Sequence, residues 1–337
     1  MNKNPKTLRV EAGLVLKNGD SSSDILDYHV YADIPRFWRQ IEKLLRMDLY
    51  LAIRAKMIAN RYDIIWAGSE KIGIPLSFMR LKQPLVVITQ HMTSPIKAMF
   101  ARVTGIAKKW SAVGYLTAVE KNFFIDDLGL DKDSLFQCGS AKYLHQVSSE
   151  NMVTDGPIMS IGVAKRDYKT LIDALSHLPG YTTELFVSSR YGDILKQKIQ
   201  ELIPEWIHFP DFVPDDELIR RYQRSRFVVL PLQDTTQHCA GLSNVLEAWA
   251  LSKAIIATKT RGMESLVKDG ETGILVPPHD VNAMREAIQE LWDNPNLAHQ
   301  MGIAGRRFVE THYDPKIVNA NITAMLDRVY QESQSNF

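Results

Sequence analysis

The chain has 337 residues, 45% of them hydrophobic and 23% charged. That length exceeds the roughly 250–300 residues that one hydrophobic core serves, so two domains are expected, and the composition excludes a disordered or fibrous chain. Forty Lys and Arg against 39 Asp and Glu leave a formal net charge of +1, and two cysteines, Cys138 and Cys239, exclude a disulfide framework or a paired-cysteine zinc site.

A reducing, cytoplasmic setting is therefore the expectation. The opening MNKNPKTLRV is too polar for a secretory signal, and no apolar run approaches the roughly 20 residues needed to cross a bilayer. The near-neutral total conceals an asymmetry. Residues 1–150 hold 21 Lys and Arg against 15 Asp and Glu, whereas the remainder holds 19 against 24. Between Glu70 and Glu120 there is no carboxylate, while Lys71, Arg80, Lys82, Lys97, Arg102, Lys108 and Lys109 fall in that stretch. Such a surface either attracts phosphates or is simply a solvated face.

In chain order, the extreme N-terminus shows no clear element. An amphipathic helix is expected from Pro35 to about Asn60, then strands at 63–67 and 84–89. Residues 95–110 place Ile96, Met99, Phe100, Val103, Ala107 and Trp110 on one side of a helix, with four cations elsewhere. That helix packs on its own sheet or lies in an anionic membrane interface. The polar stretch 148–157 reads as a linker. Strands follow at 157–162, 184–188, 227–231 and 254–258, separated by helical stretches. After them come helices at 280–293, 295–311 and 315–333, with no further strand expected. The alternation predicts α/β architecture with two doubly wound parallel sheets. The domains expected are 1–150, 151–314 and a C-terminal helix, 315–337, packing back on the first.

Residues 238–280 carry the strongest chemical signal. A strand ending at Pro231 leads through a loop to a helix opening at Gly241, Leu242, Ser243 and Asn244, whose amino end suits a diphosphate. Gly241 permits close approach of the anion. One turn on, Glu247 is a carboxylate on an otherwise apolar helix, suited to ribose hydroxyls. A plain capped helix with a buried, satisfied Glu would look the same.

The run GLSNVLEAWALSKAIIAT, followed by GMESLVKDGETGILVPPHD, resembles the C-terminal domain of family 4 retaining glycosyltransferases of the GT-B fold. The likeness extends to 157–175 and 208–232, and more weakly to 62–69, 84–92 and 118–130. It implies two Rossmann-like domains with a cleft between them, the first on the acceptor side and shortened, the second binding a nucleotide-sugar donor. Glu247 would hold the donor ribose, Phe212 and Val213 would face the base, and Gly241, Leu242, Ser243 and Asn244 would meet phosphate or sugar. The leaving diphosphate would be neutralised beyond Gly162 by Lys165, Arg166 or Lys169, with Arg166 favoured because a guanidinium binds two oxygens at once. His91, just past the strand ending at Thr89, would face the reacting sugar.

Two departures stand out. The first carboxylate of the family's Glu-x7-Glu pair would fall at Cys239, and the family's Gly-Gly loop is replaced by residues 10–23, with only Gly13 and Gly19. The resemblance implies a metal-independent, retaining hexosyltransferase that uses no cofactor beyond its nucleotide sugar. Its acceptor hydroxyl would be lipid-linked or glycan, reached from the inner face of a membrane through residues 95–110, with no nucleic-acid partner. A sugar-nucleotide epimerase of the same fold and a non-catalytic donor-binding subunit are the competing readings.

Overall fold

The computed structural model describes residues 6–11, 23–27, 34–147, 152–187 and 203–335. Gly13 and Gly19, Ser188 and residues 148–151 of the expected linker lie outside them. The chain forms two compact units, Met1–Cys138 with Asn319–Phe337, and Gly139–Val318.

Unit 1 is built on strands β1 (Thr7–Glu11), β2 (Ser23–Asp27), β3 (Ile64–Ala67), β4 (Leu85–Ile88), β5 (Ala112–Tyr115) and β6 (Leu135–Gln137). They run in the order β2-β1-β3-β4-β5-β6, every neighbouring pair parallel. The runs IIWA and LVVI are buried along their whole length, as a parallel sheet covered on both faces requires. One face packs against helices α2 (Leu49–Ile58), α3 (Glu70–Ser77) and α4 (Pro95–Thr104), mainly through Leu51, Ala55, Ile72, Leu76, Ala98 and Ala101, while α1 (Arg36–Leu45) adjoins α2 and α5 (Ala118–Asn122) adjoins β5. The other face, with Ile64, Trp66, Val86 and Phe136, is covered by Met325, Leu326 and Val329 of the C-terminal helix, Pro315–Ser335.

Two sequence expectations need correction here. The helix expected over 35–60 is two helices, because Arg46 adopts a left-handed backbone (φ 52°) and the Asp48 N–H donates to the Lys71 carbonyl at 3.1 Å. The hydrophobic period continues on both sides of the break, so the sequence does not reveal it. Likewise the helix expected over 95–110 ends at Thr104, where Gly105 (φ 59°) caps it and a single 3-10 turn, Ile106–Lys109, follows. Trp110 is not an interfacial anchor: it is buried and donates its indole N–H to Ser77 Oγ at 2.8 Å.

Unit 2 contains β7 (Ile158–Ile161), β8 (Thr183–Phe186), β9 (Ile207–His208), β10 (Val228–Leu230), β11 (Ile255–Thr258) and β12 (Gly273–Val276). Their order is β12-β11-β10-β7-β8-β9, again all parallel. Among the described residues its helices are α6 (Tyr168–Leu175), α7 (Asp215–Arg224), α8 (Leu242–Ala250), α9 (Arg261–Glu264), α10 (Val281–Asp293) and α11 (Pro295–His312). The chain order reverses between β7 and β10, which makes their carboxyl ends the topological switch point where ligands bind in such sheets. A strand after 254–258 was not expected, yet β12 forms the sheet edge. Its four residues lie between the turn at Gly270 and Pro277 and read as loop in one dimension.

Residues 139–147 join unit 2, ahead of the boundary expected at 150. The Ala141 N–H donates to the Tyr313 carbonyl at 2.8 Å, and the Arg306 guanidinium donates to the carbonyls of Leu144 and Val147. Among the described residues no helix is long and apolar enough to cross a membrane.

The helix that carries Glu247, α8, is held from behind by α11. Trp249 is fully buried, donates to the Thr272 carbonyl at 3.0 Å, and lies so close to Gly305 that a Cβ there would stand 2.1 Å from its ring. Gly302 meets the Ser252 carbonyl as tightly. Gly305→Ala is therefore expected to destabilise the protein by about 1–3 kcal/mol through overpacking. The urea midpoint is the measurement, and an unchanged midpoint would refute the contact.

Candidate active site

The loop after β7 supplies the central piece of unit 2. Gly162 adopts φ 107° and its N–H bonds the Phe186 carbonyl at 3.1 Å, turning the chain sharply at the strand end. Arg166 then folds back beneath it. Its Nε donates to the Ile161 carbonyl at 3.1 Å, Nη1 to the Ala164 carbonyl at 2.9 Å, and Nη2 to Oδ1 of Asn244 in the first turn of α8. The side chain is buried, and burial pulls its pKa down from the usual arginine range. A Cβ on Gly162 would sit 2.4 Å from Arg166 Nη2, so only glycine leaves the guanidinium this place.

The loop after β10 reaches the same point. Arg166 and Leu232 form an antiparallel bridge, and the Gln233 N–H donates to the Lys165 carbonyl at 3.0 Å. Gly241 precedes α8 with φ 83°, a conformation that an L side chain rarely adopts. The positive end of α8, the Arg166 cation and the two switch-point loops thus converge, and the charge of such a convergence is complementary to an anion. Lys165, exposed and itself left-handed (φ 58°), adds a second cation beside this loop. Lys169 does not join them: it is exposed on α6 and ion-paired with Asp173 one turn along.

Glu247, one turn into α8, is half-buried. Burial pushes its carboxyl up to about 7, with the Tyr222 hydroxyl, donating to Oε2 at 3.2 Å, pulling the other way. Tyr222 lies on α7, whose first residue, Asp215, accepts from Lys142 Nζ at 2.7 Å and from the Tyr143 hydroxyl at 3.1 Å. This Glu-Tyr-Asp-Tyr-Lys set escaped the sequence reading, because its members come from three separate stretches of chain. Phe212, exposed, and Val213, half-buried, sit in the loop just before α7. Cys239 is half-buried and its carbonyl accepts the Leu242 N–H at 3.1 Å. Next to it His238 is buried with no partner for Nδ1, and burial together with Arg261 lowers its pKa.

Unit 1 has its own cluster at the carboxyl ends of its strands. Glu70, buried at the start of α3, bonds Lys97 Nζ at 2.5 Å and accepts the Gln90 N–H at 3.0 Å. Burial raises the Glu70 pKa, but Lys97 and the backbone N–H donors together outweigh it and the net direction is down. His91 follows Gln90. Burial lowers its pKa, opposed by Glu70 and reinforced by Lys97 and Lys71, so the imidazole is neutral at pH 7. Glu120, fully buried, accepts the Leu116 N–H at 2.9 Å, and burial pushes its carboxyl up to about 7. Glu70 and Glu120 were not expected, although the Thr117-x-x-Glu120 spacing is a readable capping signal. The sequence also holds one Asp-x-Asp triplet, Asp131-Lys132-Asp133. It is exposed, and Asp131 caps a single turn by accepting the Asp133 N–H at 3.0 Å. Among the described residues no three His, Cys, Asp or Glu side chains group as metal ligands.

Both units are parallel-sheet α/β domains, and the fold they define is GT-B. Residues 158–308 match the family model of glycosyl transferases group 1. A capsular polysaccharide biosynthesis glycosyltransferase of Staphylococcus aureus is 33% identical over 98 residues, 29% of this chain and 26% of its own length. A GDP-mannose-dependent alpha-(1-6)-phosphatidylinositol monomannoside mannosyltransferase of Mycolicibacterium smegmatis is 26% identical over 172 residues, 49% of this chain and 45% of its own. The matched part of the chain thus spans less than half the length of these curated relatives. Among solved structures, an Anabaena protein in complex with UDP and glucose superposes with a TM-score of 0.65 at 17% identity, over 94% of this chain and 86% of that one.

Two predictions follow from the geometry. Gly162→Ala should displace the Arg166 guanidinium, costing about 1–3 kcal/mol of stability and weakening anion binding in unit 2. Inorganic diphosphate titrated into both proteins, with equal affinity for the two, would refute the arrangement. The second concerns Glu120, whose folded pKa of about 7 lies above the ordinary 4.5. The native state then binds more protons than the unfolded one between those values, so stability falls as pH rises from 4.5 through 7. The loss is of order 3 kcal/mol. Glu247, pushed up to about 7 as well, contributes a slope of the same sign, so in Glu120→Gln the decline should be reduced by roughly half. Unfolding midpoints from pH 4 to 8 that decline equally in both proteins would count against it.

Proposed function

We propose that this protein is a glycosyltransferase that moves a hexose from a nucleotide sugar to an acceptor hydroxyl, with retention of anomeric configuration and without a metal ion. One observation carries the reading. A buried guanidinium, Arg166, is fastened to the first turn of α8 at the switch point of a doubly wound sheet, with a half-buried carboxylate, Glu247, one turn further on. Cation plus helix amino end suits a diphosphate, and an acid at that spacing suits a ribose.

In this reading the donor lies on unit 2. Arg166 and the amino end of α8 stabilise the negative charge that grows on the leaving diphosphate, the task a cation performs elsewhere. Lys165 adds to that field from the loop. Lys169 is withdrawn from the role by its position, and Arg166 acts from below the loop, through Asn244 and its field. The Phe212–Val213 backbone borders the base. His91, neutral on unit 1, is suited to accept a hydrogen bond from a sugar hydroxyl. Unit 1 takes the acceptor at the inner face of a membrane, through the exposed side of residues 95–104. The match to group 1 glycosyl transferases over 158–308 supports the donor half, and the relative named as GDP-mannose-dependent and the neighbour crystallised with UDP and glucose support a nucleotide sugar as donor class.

A thermal-shift panel of UDP, GDP, ADP and their sugars tests this, since a ligand bound to the folded state alone raises apparent stability. One nucleotide is expected to raise the melting temperature, and Glu247→Ala to abolish its shift. The shift should be weaker at pH 6 than at pH 8, by roughly tenfold in affinity, because the carboxylate is ionised only above its pKa near 7. With the matching sugar, turnover should survive EDTA and yield a product of unchanged anomeric configuration by NMR. An unaltered shift in Glu247→Ala, or an inverted product, would sink the assignment.

A further inference from the structure

Unit 1 holds an open cavity of about 620 Å3 that the donor chemistry does not use. That size lies within the range of small-molecule sites. Met47, Ile74 and Phe100 form apolar walls, Arg46, Lys71 and Lys97 stand among them, and no carboxylate lines it. Lys97 is engaged by Glu70, and Asp48 faces Lys71 from outside the lining. The positive character of the site therefore rests chiefly on Arg46 and Lys71.

The helices bounding this cavity have an inverted surface. Helix α4 turns Ala98 and Ala101 inward and leaves Ile96, Met99 and Val103 exposed, at 81%, 60% and 77%. At the end of α1, Leu44 is 83% exposed. Small residues inward and large apolar ones outward is the reverse of what a water-facing helix needs, and such a patch beside a cavity marks a binding surface. Apolar walls, an apolar rim and cations without acids together call for a ligand with a hydrocarbon chain and an anionic head. A purely apolar partner would leave the cations unused, and a free anion would leave the walls unused.

We propose that this cavity takes the hydrocarbon chain of a phosphate-headed amphiphile, with the chain among Met47, Ile74 and Phe100 and the phosphate against Arg46 and Lys71. The inference deepens the acceptor side of the function proposed above and rests on it in one respect, that this amphiphile is the acceptor. Lys97 on the cavity wall, Glu70 that holds it, and the Gln90 N–H bonded to Glu70 form a continuous link to His91.

Calorimetric titration of the full chain with decyl phosphate below its micelle concentration tests the proposal, with decyl maltoside and inorganic phosphate as the tail-only and head-only probes. Decyl phosphate is expected to bind saturably at one site, and the other two at least about tenfold more weakly. Ile96→Asp, at a position too exposed to endanger folding, should weaken it about tenfold, and Arg46→Asn, a residue that tolerates the left-handed backbone, about fivefold. Equal binding of decyl maltoside, or equal affinity in both variants and the parent, overturns the proposal. So does self-association that Ile96→Asp abolishes with no amphiphile bound, since a second copy would then own the patch. The nucleotide shift read on the same samples separates the two claims. Its absence with decyl phosphate still bound removes the donor reading alone, and its presence with no decyl phosphate bound removes this one alone.

Discussion

The guanidinium of Arg166 is the point on which the architecture of unit 2 depends. Two parallel strands, β7 and β10, lie side by side while the loops leaving them serve opposite halves of the sheet, so nothing in the sheet itself fixes how those loops meet. A cation buried there must find hydrogen-bond acceptors, because desolvating it unpaired costs several kcal/mol. It finds the Ile161 and Ala164 carbonyls on its own loop and the Asn244 side chain on α8. The loop after β7 and the start of α8 are thereby held together, and Gly162 is needed because any side chain would occupy the place of the guanidinium. The same cation that ties the structure supplies the field an anion would feel.

Each unit holds a carboxyl raised to about 7 by burial, Glu247 on α8 and Glu120 on α5. The cause is shared, but the surroundings divide them. Glu247 meets a tyrosine hydroxyl and, beyond it, the Asp215 pair with Lys142, so its charge is tuned by a network. Glu120 meets mainly backbone, and its second oxygen has no partner. A half-buried, network-coupled acid is suited to recognise hydroxyls, whereas a fully buried one contributes chiefly to the local turn.

How much of this was legible is best judged residue by residue. The GLSNVLEA run placed Gly241, Asn244 and Glu247 on one helix start, because a glycine at the helix opening and an acid one turn on are local features. Arg166 was favoured over Lys169 on side-chain chemistry alone, since both are basic and near a helix start; packing is what turns Lys169 outward to Asp173 and Arg166 inward to Asn244. Tyr222 was invisible as a partner of Glu247, and Tyr143 as a partner of Asp215, because residues far apart in sequence meet only in the fold. The stripe of Ile96, Met99 and Val103 was visible as a stripe, but periodicity cannot say whether it faces the sheet or the solvent. In the structure the alanines face the sheet.

By itself the sequence determined the class: alternating β and α segments, a chain too long for one core, parallel strands written as unbroken apolar runs, and a helix opening fit for an anion. These depend on local propensity and spacing, which survive projection onto a line. Only the tertiary structure decided where the first long helix breaks, that a strand follows residue 258, that Trp110 is internal, and which basic residue stands at the switch point. Each of those outcomes is settled by a competition for buried space or for a hydrogen-bond partner elsewhere in the chain, and such partners have no fixed distance in sequence.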